Sequence, residues 1–153
     1  MKVCYLDASA WVKRYLEEPG SKRVDEFFRE DMALASASLG YVETAAALAR
    51  QRTARKLDQG KLNGLEAQLD EEWEYFLQLD VTKSVTARAV EFARRWGLRG
   101  ADAIHLAAAW DLKERLEPIG TELLFVSSDL ELLHSAEAAG MAVENPANGS
   151  RAW

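Results

Sequence analysis

The sequence contains one cysteine, three prolines and no long run of apolar residues. A single cysteine, Cys4, excludes an intramolecular disulfide, as is typical of proteins in the reducing cytoplasm. The apolar stretches fall short of the ~18 residues that a membrane-spanning helix needs, and Asp7 interrupts the first of them, which makes a poor signal peptide. The 153 residues, 48% hydrophobic and 29% charged, therefore predict one compact cytoplasmic domain with no membrane contact.

The sequence is also short of positive charge, with 19 Lys and Arg against 25 Asp and Glu and a net charge of −6. This balance argues against general coating of nucleic acid, because phosphate binding requires cationic side chains. Residues 50–61 are an exception to this negative balance, with five Lys or Arg and one Asp. The charge pattern indicates a solvated helix face. A local RNA-binding surface is the alternative, with Arg50, Arg52, Arg55 and Lys56 as its candidate phosphate contacts.

Glycine-rich phosphate-binding motifs are missing as well. Neither G-x-x-x-x-G-K-[ST] nor G-x-G-x-x-G occurs, which disfavours nucleoside-triphosphate binding. No nucleophile-elbow sequence is present for Ser-His-Asp catalysis. The chemistry, if there is any, must come from other residue types.

Strand-like runs alternate with helical patterns along the chain. The strand-like runs are Lys2–Leu6, Met32–Ala37, Phe76–Val81, Glu122–Ser127 and Met141–Glu144. Helical spacing of apolar residues covers about 9–18, 21–30, 41–58, 63–75, 85–96, 101–116 and 130–139. Apolar strands separated by helices predict an α/β fold with a parallel sheet covered on both faces. Ligands bind such sheets beyond the carboxyl ends of the strands.

Acidic residues occupy comparable places after these strands. They are Asp7, Glu43, Asp102 and Asp129. Taken singly, each has a structural explanation: Asp7 would cap a helix, Asp102 would be stabilised in the first turn of a helix by the helix dipole, and Glu43 would face solvent. Ser128 and Glu131 would form a capping box that places Asp129 at the first helical position.

Taken together, the four carboxylates indicate a cation site. Two carboxylates about 4 Å apart repel by roughly 4 kcal/mol at an effective dielectric constant of ~20. A group of them would lose stability or take up protons unless a cation neutralised them. Oxygen-only sites suit hard ions such as Mg²⁺ or Mn²⁺. The apolar helix that follows Asp102 would bury its first turn, which strengthens the prediction.

Four segments contain these acids, in the order "YLDASAWVKRY", "ASLGYVETAAALAR", "GADAIHLAAA" and "VSSDLELLHSAEAAGM". In this order they resemble the signature regions of PIN-domain ribonucleases, and most of all the VapC-type toxins of toxin–antitoxin pairs. The resemblance spans Lys2 to Asn145 and implies a three-layer fold with a five-stranded parallel sheet in the order 3-2-1-4-5, flanked by helices. We expect one domain over residues 1–145 and a tail over 146–153.

The resemblance implies metal-dependent hydrolysis of RNA that leaves a 5′-phosphate and a 3′-hydroxyl. Asp7 and Asp102 would be principal Mg²⁺ or Mn²⁺ ligands, and Asp129 would complete the coordination directly or through a bridging water. Glu43 would hold a second ion or orient the attacking water, and Ser9 and Ser127 fall where hydroxyl residues accompany the acids. The implied protein partners are a cognate antitoxin and a second copy of the chain.

Other interpretations stay open at this point. A haloacid-dehalogenase-like phosphatase also begins with a strand that ends in Asp, but it needs a second Asp where this chain has Ser9. A catalytically silent binding module with the same fold is the non-enzymatic alternative. Lys13 and Arg14 are further candidate phosphate contacts, whereas His105 is interpreted as a packed core residue and not as part of the site.

Overall fold

The computed structural model describes residues 1–54 and 57–148. Its strands are β1 (Lys2–Leu6), β2 (Ala33–Ala37), β3 (Leu77–Leu79), β4 (Glu122–Val126) and β5 (Ala142–Glu144). Its α-helices are α1 (Ala8–Trp11), α2 (Ser21–Arg29), α3 (Ser38–Thr53), α4 (Gln59–Trp73), α5 (Lys83–Trp96), α6 (Gly100–Leu116) and α7 (Leu130–Ala138). Within this part of the chain, no helix combines the length and apolar character needed to cross a bilayer.

The strands form one parallel sheet in the order β3-β2-β1-β4-β5, which confirms the predicted topology. Tyr5 of β1 lies opposite Ala35 of β2 on one side and Phe125 of β4 on the other. The strand order reverses between β1 and β4, and open parallel sheets bind ligands in the crevice at such a point. The carboxyl ends of β1 and β4 are therefore where a site is expected.

The two faces of the sheet carry separate apolar clusters, because successive side chains of a strand point to opposite faces. Val3 and Tyr5 pack into a cluster with α5, α6 and α7. Cys4 and Leu6 pack into the other cluster, with α1, α2, α3 and α4. Cys4 is fully buried there as an unpaired core residue. Trp11 stacks on Phe76 in the same cluster, at 4.6 Å between ring centroids.

The segment after β1 differs most from the prediction. Instead of one helix over residues 9–18, it forms the four-residue α1 and a 3₁₀ turn, Val12–Arg14. The chain then turns back at Pro19 and Gly20, and the φ of 99° at Gly20 is a left-handed conformation that favours glycine. After the turn, α2 packs against the sheet through Phe27, which lies in the cluster of Cys4 and Leu6.

The described part of the predicted tail packs against this turn. Pro146–Asn148 forms a 3₁₀ turn, and a Cβ atom at Gly20 would lie 2.9 Å from the backbone nitrogen of Ala147. Residues 149–153 lie outside the described residues. The boundary between the domain and the tail stays a prediction.

Candidate active site

Asp7 lies at the carboxyl end of β1, where the sheet changes strand order. Its backbone nitrogen donates to the carbonyl of Val126 at 3.2 Å, which joins the ends of β1 and β4. Its Oδ1 accepts a hydrogen bond from the backbone nitrogen of Ala10 at 3.0 Å, so Asp7 is the N-cap of α1. Only 3% of the residue is exposed. The capping explanation for Asp7 is thus correct, but it does not account for the burial of the second carboxylate oxygen.

Two serine hydroxyls complete the environment of Asp7. Ser9 donates to Oδ1 and Ser127 donates to Oδ2, each at 2.7 Å. The Ser9 oxygen accepts from the backbone nitrogen of Ser128, and the Ser127 oxygen accepts from that of Asp129, so the network fixes the loop after β4. Burial raises the pKa of Asp7, and the hydrogen bonds from the serines offset part of this effect.

Asp129 is the N-cap of α7, which corrects the predicted capping box. Its Oδ1 accepts from the backbone nitrogen of Leu132 at 3.1 Å. Ser128 does not cap the helix, and its buried Oγ has no hydrogen-bond partner among the described residues. The other oxygen of Asp129 is 3.3 Å from the guanidinium of Arg99. The cap therefore leaves one carboxylate oxygen for the site.

Asp102 lies in the first turn of α6 and shares Arg99 with Asp129. Its Oδ2 is 3.4 Å from the Nε of Arg99. Burial raises the pKa of Asp102, and the negative charge of Asp129 raises it further. The two carboxylates are thus close enough to repel each other, and the guanidinium lies between them.

Glu43 is held by a buried histidine. It is the sixth residue of α3 and does not open that helix as predicted, because the helix begins at Ser38. His105 Nε2 lies 2.5 Å from Glu43 Oε1, and His105 Nδ1 lies 2.8 Å from the hydroxyl of Tyr5. The Tyr5 oxygen accepts from the backbone nitrogen of Ala37, so the phenolic proton is available to Nδ1. We therefore assign the Nε2 proton to the bond with Glu43.

Two residues of this arrangement were missed by the sequence analysis. His105 is buried and hydrogen-bonded, as predicted, but it also contacts a candidate site carboxylate. Arg99 carried no expectation at all. Both lie three residues from Asp102 in sequence, where a helical neighbour shares its face. That spacing is the signal that could have found them.

The four carboxylates are linked through intermediaries rather than gathered into one cluster. Serines join Asp7 to the loop of Asp129, Arg99 joins Asp129 to Asp102, and His105 holds Glu43. Among residues 1–54 and 57–148, no three His, Cys, Asp or Glu side chains are arranged to hold a metal ion together. The chemistry of the donor set nevertheless fits a hard divalent cation, because all the donors are carboxylate oxygens and burial raises the pKa of two of them.

Comparison with known proteins decides the family. The model of the PIN domain matches residues 4–137. The chain belongs to the PIN-domain family. This result confirms the family resemblance seen in the sequence.

Relatives of this PIN domain include "Ribonuclease VapC45" of Mycobacterium tuberculosis, which is 36% identical over 109 residues, or 71% of this chain and 76% of the relative. Among solved structures, VapBC2 from Rickettsia felis, bound to a DNA fragment from its promoter, has a TM-score of 0.61 at 14% identity and covers 94% of this chain and 98% of its own. A toxin–antitoxin complex from Klebsiella pneumoniae has a TM-score of 0.56 at 14% identity, with coverage of 94% and 97%. At these identities the structures show the fold.

The basic residues proposed as phosphate contacts differ in their availability on this PIN domain. Lys13 is buried and pairs with Glu18, and Arg14 pairs with Glu72 and Asp25. Both candidates are therefore engaged in ion pairs within the protein, and their contact with RNA stays a prediction.

On α3, Arg52 pairs with Glu66 of α4 at 2.8 Å, whereas Arg50 is exposed. Arg55 and Lys56 lie outside the described residues. Among the described basic residues of this helix, Arg50 is therefore the most available candidate for a phosphate contact.

Proposed function

We propose that this PIN domain is an endoribonuclease that hydrolyses RNA phosphodiester bonds with Mg²⁺ or Mn²⁺ and acts as the toxin of a toxin–antitoxin pair. The observation that carries the proposal is Asp7: a buried carboxylate at the strand-order reversal, with both oxygens held by serines. A carboxylate that serves only as a helix cap needs one such bond and no burial. Family membership and a relative named ribonuclease support the same activity.

The residues that would hold the metal are Asp7, Asp102 and Asp129. When bound, the cation would lower the pKa of water and neutralise the charge that develops on the phosphate. Ser9 and Ser127 orient Asp7 by donating to its two oxygens. The carboxylate would therefore lose little conformational entropy when it binds the metal ion. Burial raises the pKa of Asp7 and of Asp102 and so disfavours their charged forms, and a divalent ion would supply the missing compensation.

Glu43 is the residue we assign to the attacking water. Its side chain is 34% exposed, so it can reach solvent, while His105 fixes one of its oxygens. The other oxygen can accept a proton from water as the water oxygen attacks phosphorus and the bond to the 3′-oxygen breaks, and the departing 3′-oxygen takes up a proton from solvent water. The products are a 5′-phosphate and a 3′-hydroxyl, and the role of His105 is to position Glu43.

The proposed partners follow from the same family. One structural neighbour is a toxin–antitoxin complex, and we propose a cognate antitoxin for this chain and a homodimer as its own assembly. Large apolar side chains that such contacts could cover are exposed, including Tyr75 at 84% and Leu130 at 62%. Because the proposed substrate is RNA, we propose that the protein acts in the cytoplasm.

The test is cleavage of labelled RNA by the purified protein in Mn²⁺, with and without a chelator. We expect cleavage in Mn²⁺, none with the chelator, and recovery when excess Mn²⁺ is restored. Asp7→Asn is expected to lower the rate by at least about 100-fold, beyond the loss usual for residues that only support a metal ligand. Circular dichroism would show that the variant is folded.

Three outcomes would contradict the proposal in different ways. Turnover of a phosphate monoester without RNA cleavage would identify a phosphatase. RNA binding with no cleavage of any RNA tested, in either metal, would identify a silent binding module. Cleavage that survives Asp7→Asn would leave a nuclease but remove Asp7 from its site.

A further inference from the structure

Arg99 lies at the entrance of the carboxylate site. It directly precedes α6 and serves as its N-cap residue without a side-chain capping bond. Its guanidinium contacts Asp102 at 3.4 Å through Nε and Asp129 at 3.3 Å through a terminal nitrogen. One side chain thus spans two of the three carboxylates assigned to the metal.

The contacts of Arg99 are not those of a residue that holds the fold together. Its side chain is 81% exposed, and ion pairs at this exposure contribute little to stability. Arg23 offers a contrast within the same chain, since its side chain is 7% exposed and it binds both oxygens of the buried Glu144, at 2.6 and 3.1 Å. Arg99 is held by the site carboxylates and by little else that the structure describes.

The guanidinium of Arg99 lies against the two carboxylates that a bound metal ion would neutralise. The negative charges of Asp102 and Asp129 repel each other, and the guanidinium, 3.4 Å from one carboxylate and 3.3 Å from the other, compensates for that repulsion. A divalent ion held by the same two carboxylates would supply that compensation in full. The guanidinium and the ion would then repel each other, so both cannot keep the same contacts.

We propose, on the basis of the function above, that Arg99 is a counter-charge that exchanges partners: it pairs with Asp102 and Asp129 in the metal-free protein, yields them to the divalent ion, and then binds an RNA phosphate. The exposure of the side chain gives it access to the substrate. Guanidinium groups bind phosphate oxygens in a bidentate manner. An acidic protein with a net charge of −6 needs such a cation beside its cleavage site.

The proposal predicts opposite effects on metal and on RNA. Loss of Arg99 frees the carboxylates, so Mn²⁺ should bind more tightly, while the RNA loses a phosphate contact. A residue with only a structural role would weaken both. Arg94 provides the matched control, because it is an exposed arginine near the end of α5 with no ion pair among the described residues.

The experiment compares the wild type with Arg99→Ala, Arg99→Lys and Arg94→Ala. Free Mn²⁺ is measured by electron paramagnetic resonance during titration of each metal-free protein, without RNA. We expect Arg99→Ala to bind Mn²⁺ about three- to tenfold more tightly than Arg94→Ala, which corrects for the lost net charge. Arg99→Lys should fall between the wild type and Arg99→Ala, because a lysine cannot span two carboxylates as a guanidinium does.

Initial rates over a range of RNA concentrations at saturating Mn²⁺ give the second readout. We expect KM to rise about three- to tenfold in Arg99→Ala and to stay unchanged in Arg94→Ala. Equal Mn²⁺ affinities in the two alanine variants, or an unchanged KM, would overturn the role of Arg99 and leave the nuclease proposal intact. If the wild type cut no RNA, the nuclease proposal would fail, and the Mn²⁺ titration would still decide whether Arg99 competes with the ion.

Discussion

At the scale of single residues, Asp7 combines a structural and a chemical role. It caps α1, accepts from two serines and joins the ends of β1 and β4, yet burial raises its pKa. A carboxylate that is stabilised only for folding would have its pKa lowered. The protein therefore keeps a buried charge at a cost to its own stability, as active sites commonly do.

This cost predicts a pH-dependent gain in stability for Asp7→Asn in the absence of metal. The folded protein binds the Asp7 proton more tightly than the unfolded chain does. Its stability therefore falls as pH rises from the unfolded pKa, about 3.9, through the raised folded value. Asparagine does not titrate, so the variant should escape this loss. Its advantage in melting temperature should grow between pH 4 and pH 7, by about 2–4 °C for each kcal/mol.

Thermal melts at several pH values in chelator would measure this difference. Asp31→Asn, an exposed position, changes the net charge equally and serves as control. Added Mg²⁺ should reverse the order, because it stabilises only the protein that can bind it. A melting difference that stays constant from pH 4 to pH 7 would contradict the prediction.

At the scale of elements, the strands could be predicted from the sequence because they are apolar runs bounded by polar residues. β1 matches its prediction, and β4 differs by one residue. The ends of helices were harder to predict, because a helix cap depends on which neighbouring group accepts a hydrogen bond from each free backbone nitrogen. At α7 the nitrogen of Leu132 donates to Asp129, whereas the nitrogen of Ser128 donates to Ser9, 119 residues away in sequence.

The candidate carboxylates were also predictable, because each follows a strand of a parallel sheet. The contacts that these carboxylates make with distant residues could not be predicted. The contacts of Glu43 with His105 and of Asp129 with Arg99 join positions 62 and 30 residues apart. Neither periodicity nor local spacing predicts contacts between residues so far apart in the sequence, because these contacts depend on how α3, α6 and α7 pack.

The approach of α3 to β2 and α6 depends on Gly40. A Cβ atom at this position would lie 2.4 Å from Ser36 Oγ and 3.1 Å from His105 Cε1. Ser36 is buried and donates to the carbonyl of Leu6 at 2.7 Å, so it cannot move without losing that bond. His105 in turn holds Glu43. Gly40 therefore couples helix packing to the position of a site residue.

We predict that Gly40→Ala destabilises the protein by about 1–3 kcal/mol, the usual cost of overpacking, and lowers nuclease activity. Gly64→Ala in α4 is the matched control. A Cβ atom there meets nothing within 4 Å, so the change should stabilise by about 0.5–1 kcal/mol through helix propensity. Urea unfolding of both variants measures these effects.

Ser36→Ala provides a second step in the Gly40 test. It removes the closest obstacle, so the double variant with Gly40→Ala should be less destabilised than the sum of the single changes. Additive losses would show that Ser36 is not what excludes a side chain at Gly40. Activity should remain low in the double variant, because the contact with His105 persists.

At the scale of the whole molecule, an acidic protein must concentrate its positive charge where RNA binds. Several arginines are committed to internal ion pairs, among them Arg14, Arg23 and Arg52. Arg50 is exposed and lies seven residues after Glu43 on α3. Seven residues are about two helical turns, or about 10.5 Å along the axis, so both residues share one face. Arg52 lies on the opposite side and pairs with α4.

This geometry predicts different outcomes for two arginines on the same helix. Arg50→Ala should weaken RNA binding several-fold and reduce the slope of log affinity against log salt by about 1, as expected when one phosphate contact is lost. Arg52→Ala removes the same charge but should leave that slope unchanged. Fluorescence anisotropy with labelled RNA over a range of salt concentrations, in the Asp7→Asn background to prevent cleavage, measures both. Equal slopes in the two variants would mean that RNA responds only to net charge and that this face of α3 does not contact it.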